Sequence, residues 1–383
     1  MTHKSWTLVA AVLGSGIVFL DGTIVNVALP RIGAELPATL IDTLEGQTYV
    51  TSGYLAVLAA LLILAGALSD FYGRRRMFAI GLAGFGVSSL LSGLAPNLEL
   101  LVVARILQGA TGALLVPGSL SLITAAYPSD ERARAIGLWA SATSAVTVLG
   151  PWIGGVLVDT VSWRAAFLIN VPLLAIALFA TIRYVRESRD ESATGHFDWL
   201  GAAVGVVAVG GLAFGAIRGQ STGWTDSTAF VSLAVGAVAT VLFVPLMAQR
   251  RHPLVPLGLF RSRNFAIANL STFLVYGALY VTFGFQGLFL QNTLGYSATA
   301  AGLAGLPVGI ALSLFSAKAG AIAGRLGVRW FMTAGPLLMA LGLFWFARIP
   351  PTSEAWDVRL DSLPSFVPSS GYLVDVLPGM LLF

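Results

Sequence analysis

Gly46-Gln-Thr-Tyr-Val-Thr-Ser-Gly-Tyr54-Leu-Ala-Val-Leu-Ala-Ala-Leu-Leu-Ile-Leu-Ala-Gly66-Ala-Leu-Ser69 runs without a single charge, and Asp70-Phe-Tyr-Gly73-Arg74-Arg75-Arg76 closes it. At about 1.5 Å of rise per helical residue, such a run crosses the ~30 Å hydrocarbon layer of a bilayer. A basic cluster directly behind it is what a cytoplasmic loop carries. The stretch reads as a membrane-spanning helix and its inner turn, and the rest of the chain repeats that pattern. Of 383 residues, 56% are hydrophobic and 10% charged, against about 25% charged in a soluble globular domain. No water-soluble fold of this size hides so much apolar surface, and the mean hydropathy of +0.84 agrees. Strand-like alternation is absent, which excludes a β-barrel. The fold class is therefore an all-α polytopic membrane protein.

Eleven complete spans are expected, at 6–29, 46–69, 77–95, 99–127, 134–158, 164–183, 199–217, 228–248, 264–290, 298–317 and 330–347. The first is too long for a signal-peptide core and has no small-residue cleavage site. A twelfth apolar segment starts near Tyr372 and stops at Phe383. Backbone groups of an unfinished span stay unsatisfied in lipid, so the sequence reads as truncated at its C-terminus. With the N-terminus in the cytoplasm, 16 of the 22 basic residues fall in inner loops and five in outer ones. That asymmetry obeys the positive-inside rule and explains the net charge of +4 without nucleic acid. No cysteine is present, and His3, His196 and His252 are scattered, so neither disulfides nor a metal site is expected.

Gly66-Ala-Leu-Ser-Asp70-Phe-Tyr-Gly73-Arg74-Arg75 recurs in weaker form as Gly320-Ala-Ile-Ala-Gly324-Arg-Leu-Gly327-Val-Arg329, with Asp70 replaced by Gly324. Both follow a span on the inner side, as in two-lobed carriers built from parallel repeats. The expected division is a six-helix lobe over 1–190, two additional helices over 191–255 and an incomplete second lobe over 256–383. Gly73 permits a tight turn there, and Asp70 is placed to cap it or to pair with Arg74 or Arg75. The turn is either a latch between helices or a plain solvated loop.

Two charges lie inside spans. Asp21 sits about 15 residues beyond Trp6, roughly 22 Å into the layer. A charged carboxyl at that depth is costly and points to a functional group, such as one that takes and releases a proton. The other reading is a structural acid paired with an arginine or open to a wet vestibule. Arg105 lies at similar depth, with Gln108, Gly109 and Gly112 following along one helix face. It is expected either to approach Asp21 or to bond backbone carbonyls. Gly150-Pro151-Trp-Ile-Gly154-Gly155 combines a flat face with a proline that removes one helix bond, making a hinge or a packing surface. Asn26, Gln47, Tyr54, Gln286 and Gln291 are polar positions in or at the ends of spans that line a cavity or cross-link helices. Phe19, Tyr276, Phe283 and Phe285 are aromatic positions that either meet an apolar ligand or, as is commoner for single aromatics, pack in the core or face lipid. No Walker loop, HExxH or CxxC is found, so no enzyme chemistry is expected.

These motifs occur in an order that closely resembles the 14-helix drug:proton antiporter branch of the major facilitator superfamily. The resemblance rests on Leu20-Asp21 to Pro30, Gly66 to Arg76, Arg105-Ile-Leu-Gln108-Gly109, Gly150-Pro151-x-x-Gly154-Gly155 and Trp163-Arg164-x-x-Phe167-x-x-Asn170-x-Pro172. It implies a rocker-switch carrier in the inner membrane that exports amphipathic, often cationic, small molecules in exchange for protons. It assigns proton coupling to Asp21 and Arg105, and the latch to Asp70, Arg74 and Arg75 with Gly66 and Gly73. The antiporter bend falls to Gly150, Pro151, Gly154 and Gly155. The substrate cavity, between the first six spans and the later lobe, is assigned Asn26, Tyr54, Gln108 and Gln286. Cofactors, metals and nucleic acid are not expected, and a lipid-embedded monomer is. The rival readings are a carrier of one solute, such as a sugar, an amino acid or a self-made antibiotic, and a non-transporting membrane receptor or scaffold.

Overall fold

The computed structural model describes residues 3–39, 43–189, 197–250, 253–296, 298–358 and 362–383. His196, Arg251, His252 and Arg359 lie outside these ranges, and the side chains of Phe283, Phe285, Gln291 and Arg325 lie outside the described set. The described chain is helical and falls into two compact units, Met1–Leu257 and Gly258–Phe383.

The first unit holds α1 (His3–Glu35), α2 (Thr43–Tyr72), α3 (Arg74–Gly93), α4 (Leu98–Gly112), α5 (Leu115–Ala126), α6 (Ser129–Thr160), α7 (Ala165–Leu168), α8 (Asn170–Tyr184), α9 (Trp199–Ser221) and α10 (Ser227–Gln249). The second holds α11 (Arg263–Leu288), α12 (Ala298–Ala304), α13 (Leu306–Leu326), α14 (Val328–Ala347) and α15 (Leu377–Leu382). Nine helical segments among the described residues are long and apolar enough to cross a membrane, or ten if a pair bent by 43° counts as one. The expected 99–127 span is the segment Leu98–Ala126, interrupted between α4 and α5. The protein is a multi-pass membrane protein.

Helix ends follow local chemistry. The Asn97 side chain accepts from the Leu100 N–H at 2.9 Å and caps α4, and Asp198 does the same for α9 through Gly201. Gly73 between α2 and α3 has φ of +108°, and Gly327 between α13 and α14 has φ of +94°. The two copies of the sequence repeat thus share one left-handed turn, a conformation that glycine adopts without steric penalty.

In lipid, helices associate through close packing, because hydrocarbon is as apolar as leucine. Glycine supplies the approach. A Cβ on Gly109 would lie 2.5 Å from the Tyr54 carbonyl oxygen, so α4 presses directly on the backbone of α2. A Cβ on Gly211 would lie 2.9 Å from the Cα of Gly236, which locks α9 to α10. Large apolar side chains such as Val231, Val241 and Phe273 stay exposed, as suits a surface that meets acyl chains.

The helices α9 and α10 belong to the first unit, where α9 packs along α2. Arg218 at the end of α9 fastens them. Its Nε donates to Asp226 at 2.6 Å, and its Nη1 donates to the Tyr49 hydroxyl at 2.9 Å and to Glu45 on α2. The Thr228 N–H, then Arg218, hold the Asp226 carboxyl below the usual carboxylate range. A carboxyl so depressed stabilises the fold above the ordinary Asp value of 3.8, and that contribution is lost as pH falls through its lowered value.

Gly109→Val is expected to destabilise the protein by roughly 1–3 kcal/mol, because the obstacle is backbone. Gly155→Ala, whose Cβ would sit 4.0 Å from the nearest atom of Val27, is expected to leave it unchanged within about 0.5 kcal/mol. Denaturant titration in detergent checks both.

Candidate functional site

Asp21 and Arg105 meet in the interior of the first unit, both fully buried. Arg105 Nη1 donates to Asp21 Oδ2 at 2.5 Å and to Gln108 Oε1 at 2.7 Å. Its Nε donates to the Val50 carbonyl of α2 at 2.9 Å. Its guanidinium lies 4.0 Å from the Tyr54 ring centroid. Both roles considered for Arg105, ion pairing and bonding to backbone, are thus met by the one side chain.

The other carboxylate oxygen faces uncharged donors. Gln108 Nε2 reaches Asp21 Oδ1 at 2.9 Å, and Asn170 Nδ2 reaches it at 3.0 Å from the start of α8. Ser89 on α3 receives Asn170 Nδ2 at 3.0 Å and Gln108 Nε2 at 3.3 Å, and its hydroxyl donates to the Phe167 carbonyl at 2.9 Å. Two other helices, α4 and α8, thus bond the carboxylate of α1, and α2 and α3 bond the side chains around it. A buried ion pair is tolerable only when its remaining lone pairs and protons are satisfied, which this shell does for the carboxylate.

The spacing that produces this cluster is local. Arg105 and Gln108 lie three residues apart and project from one face of α4. Gly109 and Gly112 follow on that face: the first meets α2 and the second packs on Phe85 of α3. Leu20, Ile24 and Val25, next to Asp21 along α1, are buried members of an apolar core cluster.

A second cluster lies at the α2–α3 turn. Asp70 Oδ1 receives Arg74 Nε at 3.0 Å and Arg74 Nη2 at 2.9 Å. Arg75 reaches the Ile182 carbonyl of α8 at 2.6 Å instead of Asp70. The α3 N-terminus, whose own Gly73 has no side chain to cap it, takes its cap from Glu187. That carboxylate accepts the backbone N–H of Arg75 at 3.0 Å and of Arg76 at 3.1 Å. A Cβ on Gly73 would lie 2.8 Å from the Glu187 carboxyl, the flexible end of that side chain, so it is the positive φ that calls for glycine here.

The α6 motif faces α1. A Cβ on Gly150 would collide with Thr23, and one on Gly154 would lie 3.2 Å from the Ile24 Cα, while Pro151 interrupts the bonding of α6. The remaining candidates separate. Tyr54 and Gln108 are buried in the Asp21 cluster, whereas Asn26 is exposed and its amide donates to the Gly22 carbonyl at 3.1 Å. Gln47 cross-links α2 to the Leu29 carbonyl at 2.7 Å. Gln286 lines a cavity of about 370 Å³ within the second unit, with Thr282, Phe289 and Phe346. Gly66, adjacent to Pro117 of α5, is partly buried.

The sequence model of the Major Facilitator Superfamily matches residues 11–358. The chain belongs to that superfamily. It is 39% identical over 338 residues to the multidrug resistance protein Stp of Mycobacterium tuberculosis, covering 88% of this chain and 62% of that one. It is 35% identical over 391 residues to the tetracenomycin C resistance and export protein of Streptomyces glaucescens, covering 99% of this chain and 71% of that one. The match thus spans less than two thirds of the length of Stp. Among solved structures, the human organic anion transporter MFSD10 superposes on 99% of this chain, and 85% of its own length, with a TM-score of 0.60 at 16% identity. The xylose transporter XylE of E. coli superposes on 100% of this chain, and 84% of its own, with a TM-score of 0.57 at 16% identity. At those identities the likeness concerns the fold alone.

Sequence reading did not single out Ser89 or Glu187, and it noted Asn170 only as part of a motif. Glu187 lies among Arg183, Arg186 and Arg189, where a topology signal masks it. Glu187→Ala is expected to destabilise the first unit by about 1 kcal/mol, the usual effect of losing a helix cap. Hydrogen exchange should show the amides of Arg75 and Arg76 losing protection while the interior of α3 keeps it.

Proposed function

We propose that this superfamily member is a proton-coupled exporter of amphipathic or cationic small molecules, operating by alternating access. The observation that carries the reading is the Asp21–Arg105 pair: a carboxylate and a guanidinium shut away from water inside a membrane-spanning bundle. Adding a proton to Asp21 removes the charge that faces Arg105. The guanidinium is then held by Val50 and Gln108 and by the Tyr54 and Phe167 rings, and the joint between α1, α2 and α4 weakens. A proton bound from the outer side and released inward drives the cycle. Gly150, Pro151, Gly154 and Gly155 on α6 are the bend against which α1 moves, and Gly66, Asp70, Gly73, Arg74 and Arg75 are the inner latch. Asn26, Tyr54, Gln108 and Gln286 are the candidate substrate contacts, with Phe289 and Phe346 as aromatic walls beside Gln286.

Efflux is supported by the names of relatives, which describe resistance to drugs, to methylenomycin A and to fatty acids, and the export of tetracenomycin C. The same names favour a second reading, a carrier of one antibiotic, because two of them specify a single compound. The proposal further includes the 14-helix arrangement with lobes divided near residues 190 and 255, an inner-membrane monomer and a cytoplasmic N-terminus.

The test uses purified protein in proteoliposomes with an imposed pH gradient and a cationic dye. Wild type is expected to move dye with the gradient, and Asp21→Asn to lose at least tenfold of that rate. Equal rates in both overturn coupling through Asp21. Transport of one antibiotic with no dye movement overturns the multidrug reading in favour of the single-substrate carrier.

A further inference from the structure

The shell around Asp21 contains an asymmetry that the ion pair does not explain. Every side chain bonded to the carboxylate is a donor: Arg105 Nη1, Gln108 Nε2 and Asn170 Nδ2. A carboxylate accepts all three. A carboxylic acid must instead give its own proton to an acceptor, and none faces it here. Arginine has none to offer. The Gln108 Oε1 is already occupied by Arg105, and turning that amide would set its NH₂ against the guanidinium. The Ser89 oxygen already accepts from both Asn170 and Gln108 while its proton goes to the Phe167 carbonyl, and the Tyr54 hydroxyl is turned to the Val18 carbonyl rather than to Asp21.

One oxygen in the shell is unused. Asn170 is fully buried, and its Oδ1 has no hydrogen-bond partner. Such an orphan acceptor is uncommon in a folded interior and calls for a reason. It belongs to the same amide that now donates to Asp21 Oδ1, so a half-turn of that amide exchanges donor for acceptor.

We infer that Asn170 is the positioning residue that follows the protonation state of Asp21. Its Nδ2 donates to the carboxylate in the arrangement seen here. When a proton from the aqueous phase binds Asp21 Oδ1, the amide turns and its Oδ1 accepts the new O–H. No covalent bond to carbon changes; one proton is taken up and one hydrogen bond reverses direction. The turned Nδ2 gives up both Asp21 and Ser89, and it points where Oδ1 now finds no partner. The protonated arrangement therefore holds α8 to α1 and α3 less firmly, which couples the proton to the helix at whose first turn Asn170 sits. Of the charged and titratable groups near Asp21, Arg105 comes from α4 and Tyr54 from α2, while α3 and α8 present the uncharged Ser89 and Asn170. On α6, Gly150 meets α1 beside Leu20 and Thr23.

The inference rests on the proposal that Asp21 takes up the proton, so the experiment reads the two separately. Infrared difference spectra of purified protein in membranes, recorded between neutral and acidic pH, are compared for wild type, Asp21→Asn, Asn170→Leu and Asn170→Ala. A carboxylic-acid C=O band present in wild type and lost in Asp21→Asn identifies the proton site; its persistence in Asp21→Asn overturns the coupling reading on which the inference depends. With Asp21 identified, both Asn170 variants are expected to move that band to higher frequency, as its O–H loses an acceptor. An unmoved band overturns the role of Asn170 and leaves that of Asp21 standing. Isotope labelling of asparagine gives a readout needing no variant at 170: a side-chain amide band should shift on acidification in wild type and stay fixed in Asp21→Asn. A fixed band in wild type also overturns the inference.

Discussion

Two opposite charges excluded from water must satisfy each other, and the architecture of the first unit follows from that requirement. An isolated carboxylate or guanidinium within ~30 Å of hydrocarbon is expensive. Together at 2.5 Å, with Val50, Gln108 and Asn170 on their remaining bonding positions, they become a joint between α1, α2, α4 and α8. The same joint is conditional. Every side chain bonded to Asp21 donates to it, so under the proposed coupling a single proton changes the strength with which several helices are held. A structural element that depends on one titratable group is also what a proton-driven transporter needs.

Around this joint, glycine sets the distances. Gly109 brings α4 against the backbone of α2, and Gly150 and Gly154 bring α6 against α1. At the α2–α3 turn, Glu187 accepts from the first amides of α3 and ties the turn to the segment following α8. At the ends of α2 and α9, Arg218 ties α9 to α2. Packing, buried polar bonding and end-to-end latches thus act on the same helices, so a disturbance at Asp21 has several routes outward.

Much of this was legible in the sequence because membranes simplify the code. Uncharged runs of sufficient length mark spans, and α2 and α3 coincide with such runs to within a few residues. Asp21 and Arg105 stood out as the only charges deep in spans, and their similar depth suggested that they meet. The repeat at Gly66 and Gly320 foretold two turns that share a left-handed glycine. What escaped were relations that sequence spacing does not encode. Ser89 and Asn170 are uncharged, so nothing in hydropathy separates them from ordinary packing residues. Glu187 was hidden by neighbouring arginines. Arg75 was grouped with Asp70 by proximity, yet it bonds the Ile182 carbonyl, 107 positions away, because helix geometry carries it across to α8. The direction in which Gln108 points, into the charge cluster, likewise depends on where α1 crosses α4.

The central claim is that Asp21 and Arg105 act as one unit, and a double-mutant cycle measures that directly. Asp21→Asn, Arg105→Gln and the double variant would be unfolded by denaturant titration in detergent at neutral pH. The structure predicts that each single change destabilises by roughly 3–5 kcal/mol, while the double change costs about 2 kcal/mol or more less than their sum. Additive effects, with a coupling of zero within about 0.5 kcal/mol, would contradict the account.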